Sequence, residues 1–234
     1  LPEAELPYSI KSPRFNEFIN KIPNSDKLVM GAWDLNENSI FNTIYSIKTM
    51  ESYKKTHLVP FGEYIPFIKN LRGIIDFFDL PMSNVSHGAN NQRNIMINKD
   101  IAIASPICFD IAFSNTVRKM NKSSFLMINV SNDTWFGDSI GPYQHLSIAR
   151  IRSIENNRWT IRATNDGISA IINNKGTIVD KLGKGESGIL ESKIKLIDSN
   201  SIYNKFGYLF TYIYSFIILS ATFSNYLWQR FISK

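Results

Sequence analysis

From Phe206 to Gln229 the chain carries no charged side chain, while Lys205 precedes the stretch and Arg230 and Lys234 follow it. As a helix, at ~1.5 Å per residue, it would be roughly 36 Å long, against a bilayer hydrocarbon core of ~30 Å. Tyr and Trp stand at its two ends, where interfacial anchors sit. We read it as one membrane-spanning helix, although Asn225 and several Ser and Thr would also suit a buried core helix. The flanking cations put the short tail on the cytoplasmic side and everything before it outside. The chain therefore divides into a domain over 1–204 and a span with its tail over 205–234.

The domain has globular rather than disordered composition: hydrophobic residues are 44% of the chain and charged residues 20%. A net charge of +6 suits an anionic partner, either a phospholipid surface or nucleic acid. The Lys and Arg residues are scattered, with no basic run interleaved with aromatics, so nucleic acid is not expected. Cys108 is the one cysteine and cannot form an internal disulfide. LPEAELP at the start lacks the basic and apolar segments of a signal peptide. It reads as the exit of a strand whose body lies upstream, as in a fragment of a longer chain.

Short β-type runs alternate with helical stretches. KLVMGAW (Lys27 to Trp33) and SIFNTIYSIKTM (Ser39 to Met50) flank a polar DLNEN turn and predict paired strands. IAIASPI and SFLMINVSN are apolar, β-branched runs. GPYQHLSIARIRSIENN spaces Leu146, Ile148, Ala149, Ile151 and Ile154 as a helix would. RWTIRAT, GISAIIN, GTIVDKL and SGILESKI predict further strands. The mixture argues for a layered α/β sandwich. PFIKNLRGIIDFFDLPMS (Pro66 to Ser83), apolar but broken by Pro and Gly, is either core or an exposed arm that meets lipid.

Three groups can be assembled into one site. Cys108 ends an apolar strand and precedes a predicted helix, IAFSNTVRKM, whose dipole would favour the thiolate. A thiol of ordinary pKa, about 8.5, still needs a base or a neighbouring cation. His57 is a candidate base; His87 reads as exposed loop, and His145, at a helix start, as structural. Lys54 and Lys55 sit in YKKTHLVPFGEYIP. In extended chain neighbouring side chains point to opposite faces, so one of the two is solvated and the other is free to sit beside the thiol. The residue pattern alone does not say which. Glu3, after Pro2, would ordinarily be a surface residue.

LPEAELP, YKKTHLVPFGEYIP, SPICFD and NVSNDTWFGDSIGPYQHLSIARIRSIENNRW, extended by RATNDGISAIINNKG and the terminal stretch, together resemble the nitrilase (carbon–nitrogen hydrolase) superfamily. Within it they are most similar to the branch of membrane enzymes that N-acylate bacterial lipoproteins. The resemblance implies a nitrilase-like αββα sandwich followed by the terminal span. It implies Glu3 as general base, Lys55 as the triad lysine and Cys108 as nucleophile. Glu63 becomes a supporting glutamate, and the backbone N–H of Phe109 an oxyanion donor. After the cysteine this chain has Phe109-Asp110 where that branch usually has Tyr-Glu, which keeps the acid but shortens it and removes a phenol. The implied reaction is ping-pong: a phospholipid acylates the thiol, and the α-amine of an apolipoprotein's diacylglyceryl-cysteine takes the acyl group. No cofactor or metal is implied. The implied location is the bacterial inner membrane, with the domain in the periplasm. Two alternatives remain open: a hydrolase of soluble amides or nitriles, and a non-catalytic lipid- or lipoprotein-binding remnant.

Overall fold

A computed structural model describes residues 1–37, 39–64 and 84–232. The apolar arm expected over 66–83 lies outside the described residues. Helix α1 (Pro13–Asn20) starts where Ser12 accepts a hydrogen bond from the Phe15 N–H and Pro13 fills the first helical position. Its Phe15 and Ile19, four residues apart, share the buried face. Strands β1 (Val29–Asn36), β2 (Ser39–Ser46) and β3 (Glu51–Lys54) form an antiparallel sheet in that order. This confirms the pairing expected across the DLNEN turn.

A second sheet has six described strands, in sequence order. They are β4 (Ile95–Met96), β5 (Ala102–Ala104), β6 (Leu126–Asn132), β7 (Thr160–Asn165), β8 (Ser169–Ile172) and β9 (Ile178–Leu182). β5, β6 and β7 run parallel. The crossover from β5 to β6 carries α2 (Ser114–Met120), and that from β6 to β7 carries α3 (Gly141–Asn156). SGILESKI, expected to be a strand, lies outside any strand: Ile189 is exposed and Ile194 packs on the core between the sheets. Its alternation matches strand chemistry, but β9 is the last strand of the sheet order and the segment is not its ladder partner.

The period of two sorts side chains into layers. On β2, Ile44 joins a core that includes Ile103, Leu126 and Val130 of the second sheet, while Tyr45 turns the other way, against Phe15 of α1. On β5 and β6, Ile103 and Leu126 face the first sheet, while Ala104 and Met127 face Leu146 and Ala149 of α3. The order is thus helix, sheet, sheet, helices, an α/β sandwich of the expected kind.

The chain end is anchored before it departs. Asn204 of α4 (Ile202–Phe206) is buried and donates to the Asn156 side chain (2.8 Å), while Arg118 donates to its carbonyl (3.0 Å). Helix α5 (Leu209–Ile232) then runs 24 residues, and its described side chains are exposed all round, among them Phe216, Ile217 and Leu219. Its Tyr, Ser, Thr and Asn residues dilute its apolar character, and among the described residues no helix is long and apolar enough to cross a membrane. The membrane span expected from the sequence is therefore not confirmed.

Candidate active site

The first sheet supplies a buried cation between two carboxylates. Lys55 directly follows β3, and its backbone N–H donates to the Asn42 carbonyl of β2 (2.8 Å). Its side chain, 1% exposed, places Nζ 3.0 Å from Oε1 of Glu3 and 2.7 Å from Oε1 of Glu63. Burial alone would lower the lysine pKa. The charges of Glu3 and Glu63 outweigh it and hold Lys55 above the ordinary lysine range. Lys55 is thus a permanent cation. Lys54 points to the other face, where Nζ lies 3.0 Å from Asp34 Oδ2 and 3.9 Å from the centre of the Phe41 ring. The strand-parity argument separated the two lysines correctly, and the structure settles which one is buried.

Glu63 reaches Lys55 by way of a tight turn. Phe61 has φ +62°, its N–H donates to Tyr64 O (2.7 Å), and the Glu63 N–H donates to Val59 O (2.9 Å). The second Glu63 oxygen accepts from the Val59 N–H (2.8 Å), so this carboxylate is held at both ends.

Glu3 departs from the ordinary fate of a Glu after Pro: it is 3% exposed. Leu1–Glu3 lies along β1, where the Gly31 N–H donates to Leu1 O (3.3 Å). Oε1 takes hydrogen bonds from Lys55 and Asn42, and Oε2 accepts from the backbone N–H of Asn132 (2.7 Å). Asn165 donates to the Glu3 carbonyl (3.2 Å). Asn132 and Asn165 are the last residues of β6 and β7. Glu3 is therefore clasped by the C-terminal ends of parallel strands, the edge where α/β sheets hold ligands. Asn42, Asn132 and Asn165 were not singled out in the sequence.

Cys108 sits beside the same edge, where Ile107 bridges Val130 of β6. Its φ of +44° is a left-handed conformation that, for a non-glycine residue, costs of order 1–3 kcal/mol and persists only where its surroundings impose it. Cys108 is 7% exposed, and its thiol is pushed up to about 12, first by burial and then by the charge of Glu3, with Lys55 opposing. This corrects the expectation that a helix dipole would favour thiolate. The element after Cys108 is a five-residue 3-10 turn, Cys108–Ala112, and desolvation dominates. Cys108 therefore rests as a thiol.

Asp110 ties the cysteine turn to the lysine loop. It is fully buried. Oδ1 accepts from the His57 N–H (2.7 Å) and lies 3.1 Å from His57 Nδ1, while Oδ2 accepts from Tyr53 OH (3.2 Å) and the Ile107 N–H (3.3 Å). His57 is also stacked on Phe113, with centroids 3.7 Å apart. These contacts brace the joint. His87 is exposed, as expected.

Cys108 borders a cavity of about 300 Å³ walled by Val59, Phe109, Ala112, Trp135, Phe136 and Ile148, with Asn132, Gly141, Gln144 and His145 completing it. Nearly all of this wall is apolar, and Trp135 at its edge is 59% exposed. His145 donates from Nε2 to the Cys108 carbonyl (3.2 Å), and its Nδ1 lies 2.9 Å from Asp133 Oδ1. Asp133 and Arg162, with no exposed side-chain surface, pair at 2.8 Å. These residues lie in stretches that carried the resemblance, but no property of the sequence pointed to their place under Cys108.

A family model described as carbon-nitrogen hydrolase matches residues 18–203. Among curated relatives, the apolipoprotein N-acyltransferase of Vibrio parahaemolyticus is 36% identical over 88% of this chain and 44% of its own length. That of Photobacterium profundum is 35% identical over 98% and 47%. That of Pseudomonas syringae is 45% identical over 61% and 28%. The chain spans less than half the length of these relatives. Among solved structures, an amidase from Nesterenkonia sp. superposes with TM-score 0.52 at 15% identity, over 81% of this chain and 69% of that one. At that identity the likeness concerns the fold alone.

Proposed function

Because this chain belongs to the carbon–nitrogen hydrolase family, we propose that it is the catalytic part of a lipoprotein N-acyltransferase, with Glu3, Lys55 and Cys108 as its triad. The observation that carries the reading is the apolar cavity on Cys108. A small amide would leave that wall without a partner, whereas a fatty acyl chain fills it. The names of the relatives agree with this.

In the proposed reaction Glu3 accepts the thiol proton as Sγ attacks an ester carbonyl of a phospholipid. The resulting oxyanion is stabilised by the Phe109 N–H and by the charge of Lys55. The tetrahedral intermediate collapses, Glu3 returns the proton to the departing glyceryl oxygen, and a lysophospholipid leaves Cys108 as a thioester. The α-amine of a lipoprotein's diacylglyceryl-cysteine then attacks that thioester. Glu3 takes the amine proton and returns it to the departing sulfur. Glu63 keeps Lys55 in place through both halves. Helix α5 belongs to the same proposal: its exposed surface, with Phe216, Ile217 and Leu219, would be covered by lipid or by neighbouring helices, and on this reading the domain works at a bacterial inner membrane, facing the periplasm.

The test is peptide mass spectrometry of the full chain after incubation with phosphatidylethanolamine vesicles, followed by a synthetic diacylglyceryl-cysteine peptide. A hydroxylamine-labile acyl group on Cys108, discharged by the peptide, is the expected result. Ammonia release from small amides without any acyl-Cys108 from the vesicles would assign the chain to the amidases instead. Lipid binding that is unchanged in Cys108→Ala, with no turnover in either form, would make it a binding remnant.

A further inference from the structure

A continuous chain of hydrogen bonds encloses the strained turn at Cys108. Asn129 donates to the Pro106 carbonyl (2.9 Å) and accepts from Arg162, which pairs with Asp133. Ser131 also donates to Asp133 (2.7 Å), which lies against Nδ1 of His145, and Nε2 of His145 meets the Cys108 carbonyl. Every side chain of this chain is buried. A carbonyl oxygen only accepts, and Arg162 brings a donor, Nη2, to 3.1 Å from Nδ1, so the ring with its hydrogen on Nε2 serves both partners. The network therefore grips the backbone on both sides of the nucleophile.

The grip has a chemical consequence. The Cys108 carbonyl and the Phe109 N–H belong to one planar peptide unit and point in opposite directions across it. Fixing the oxygen fixes the direction of the N–H. A hydrogen bond into the oxygen also polarises the amide and makes that N–H a stronger donor. We infer that His145 is a positioning residue that aims the Phe109 N–H at the oxyanion formed in each half of the acyl transfer. The inference rests on the reading of Cys108 as an acyl-accepting nucleophile. It assigns to His145 a part in transition-state stabilisation, exerted through the peptide bond.

Two reactions of Cys108 separate this role from ordinary packing. Acylation by p-nitrophenyl butyrate passes through an oxyanion, and alkylation by iodoacetamide does not. His145→Asn keeps a polar side chain beside Asp133 and Arg162 but falls short of the Cys108 carbonyl. His145→Gln carries an N–H to about the place of Nε2. In the full chain, His145→Asn is expected to slow acylation about 10- to 100-fold, less than removal of a direct oxyanion donor, with KM and the alkylation rate unchanged. His145→Gln is expected to recover most of the acylation rate. If the Asn form melts below the assay temperature, His145→Phe, which keeps a ring and donates nothing, repeats the comparison. Acylation at the unsubstituted rate in either donor-less variant overturns the inference, as does a parallel loss of alkylation. If the unsubstituted chain forms no acyl-Cys108 from this ester or from phospholipid vesicles, the acyl-transfer reading itself fails, and the inference with it.

Discussion

A Cβ on Gly31 would lie 2.6 Å from the Cα of Glu3, and 2.2 Å from the Pro2 carbonyl oxygen. The backbone that carries the proposed base is laid directly on a glycine of β1, with no room for a methyl group. Gly31→Ala must push Pro2 and Glu3 away from the strand. A misplacement of about 1 Å costs on the order of 100-fold in a positioned reaction. The expected outcome is a loss of acyl-Cys108 formation of that order, while iodoacetamide still alkylates Cys108. Undiminished acylation would mean that the position of Glu3 is not critical.

Lys54 and Lys55, adjacent in sequence, are expected to behave oppositely. Lys55→Met leaves Glu3 and Glu63 buried without their cation, and breaking a buried pair in this way costs roughly 3–5 kcal/mol. Acyl transfer should be abolished and the urea midpoint should fall. Lys54→Met loses a partly exposed pair with Asp34, worth about 1 kcal/mol or less. Its activity should match that of the parent chain. Parallel activity assays and urea melts decide the matter, and the reverse pattern would overturn the assignment of the triad lysine.

The electrostatics at Cys108 give two shifts of opposite sign. The thiol is pushed up to about 12 by burial and then by the Glu3 charge, and pulled down by Lys55. Glu3→Gln removes a negative neighbour, so thiolate should form at lower pH even as acyl transfer is lost with the base. Lys55→Met removes a positive neighbour, so thiolate should form at higher pH. Alkylation rate against pH reads both. In the parent chain the rate should still be climbing well above pH 8.5, where a free thiol would be half ionised.

Helix α5 gives a fourth prediction. If lipid covers it, Ile217→Asp places a carboxylate in the middle of the covered stretch, at a cost of about 3 kcal/mol. Partitioning of the chain into phospholipid vesicles should fall roughly 100-fold. The melting temperature of the sandwich should hold, because residue 217 is exposed and lies beyond the Asn204 anchor. Unchanged flotation with vesicles would show that α5 does not carry the attachment.

The fold was legible wherever one face of an element is buried. Ile44 and Tyr45, or Ile103 and Ala104, alternate between two cores, and that alternation is written in the sequence. SGILESKI has the same alternation but pairs with no strand among the described residues, and partnership is not a local property. Parity along KKTH separated the lysines, yet only the fold could say that Lys55 faces the site. Glu3 and His145 were the least legible. A Glu after Pro and a His on a helix are ordinary surface and core residues. Their environments come from chain 129 and 37 residues away, at Asn132 and Cys108. The uncharged stretch near the end showed the reverse problem. Lack of charge is visible residue by residue, but net apolarity depends on every Tyr, Ser and Asn along the helix.

The two sheets divide the chemistry between them. Lys55 and Glu3, the proposed cation and base, stand beside the three-stranded sheet, Cys108, the proposed nucleophile, beside the six-stranded one, and the layer of Ile44, Ile103 and Val130 joins the two. Neither half holds a reactive centre by itself. In a newly made or partly opened chain, with its sheets not yet seated on one another, the thiol stands apart from the proposed base and lysine, and the proposed triad is incomplete. On the proposed reading, closing the interlayer core is what assembles the triad.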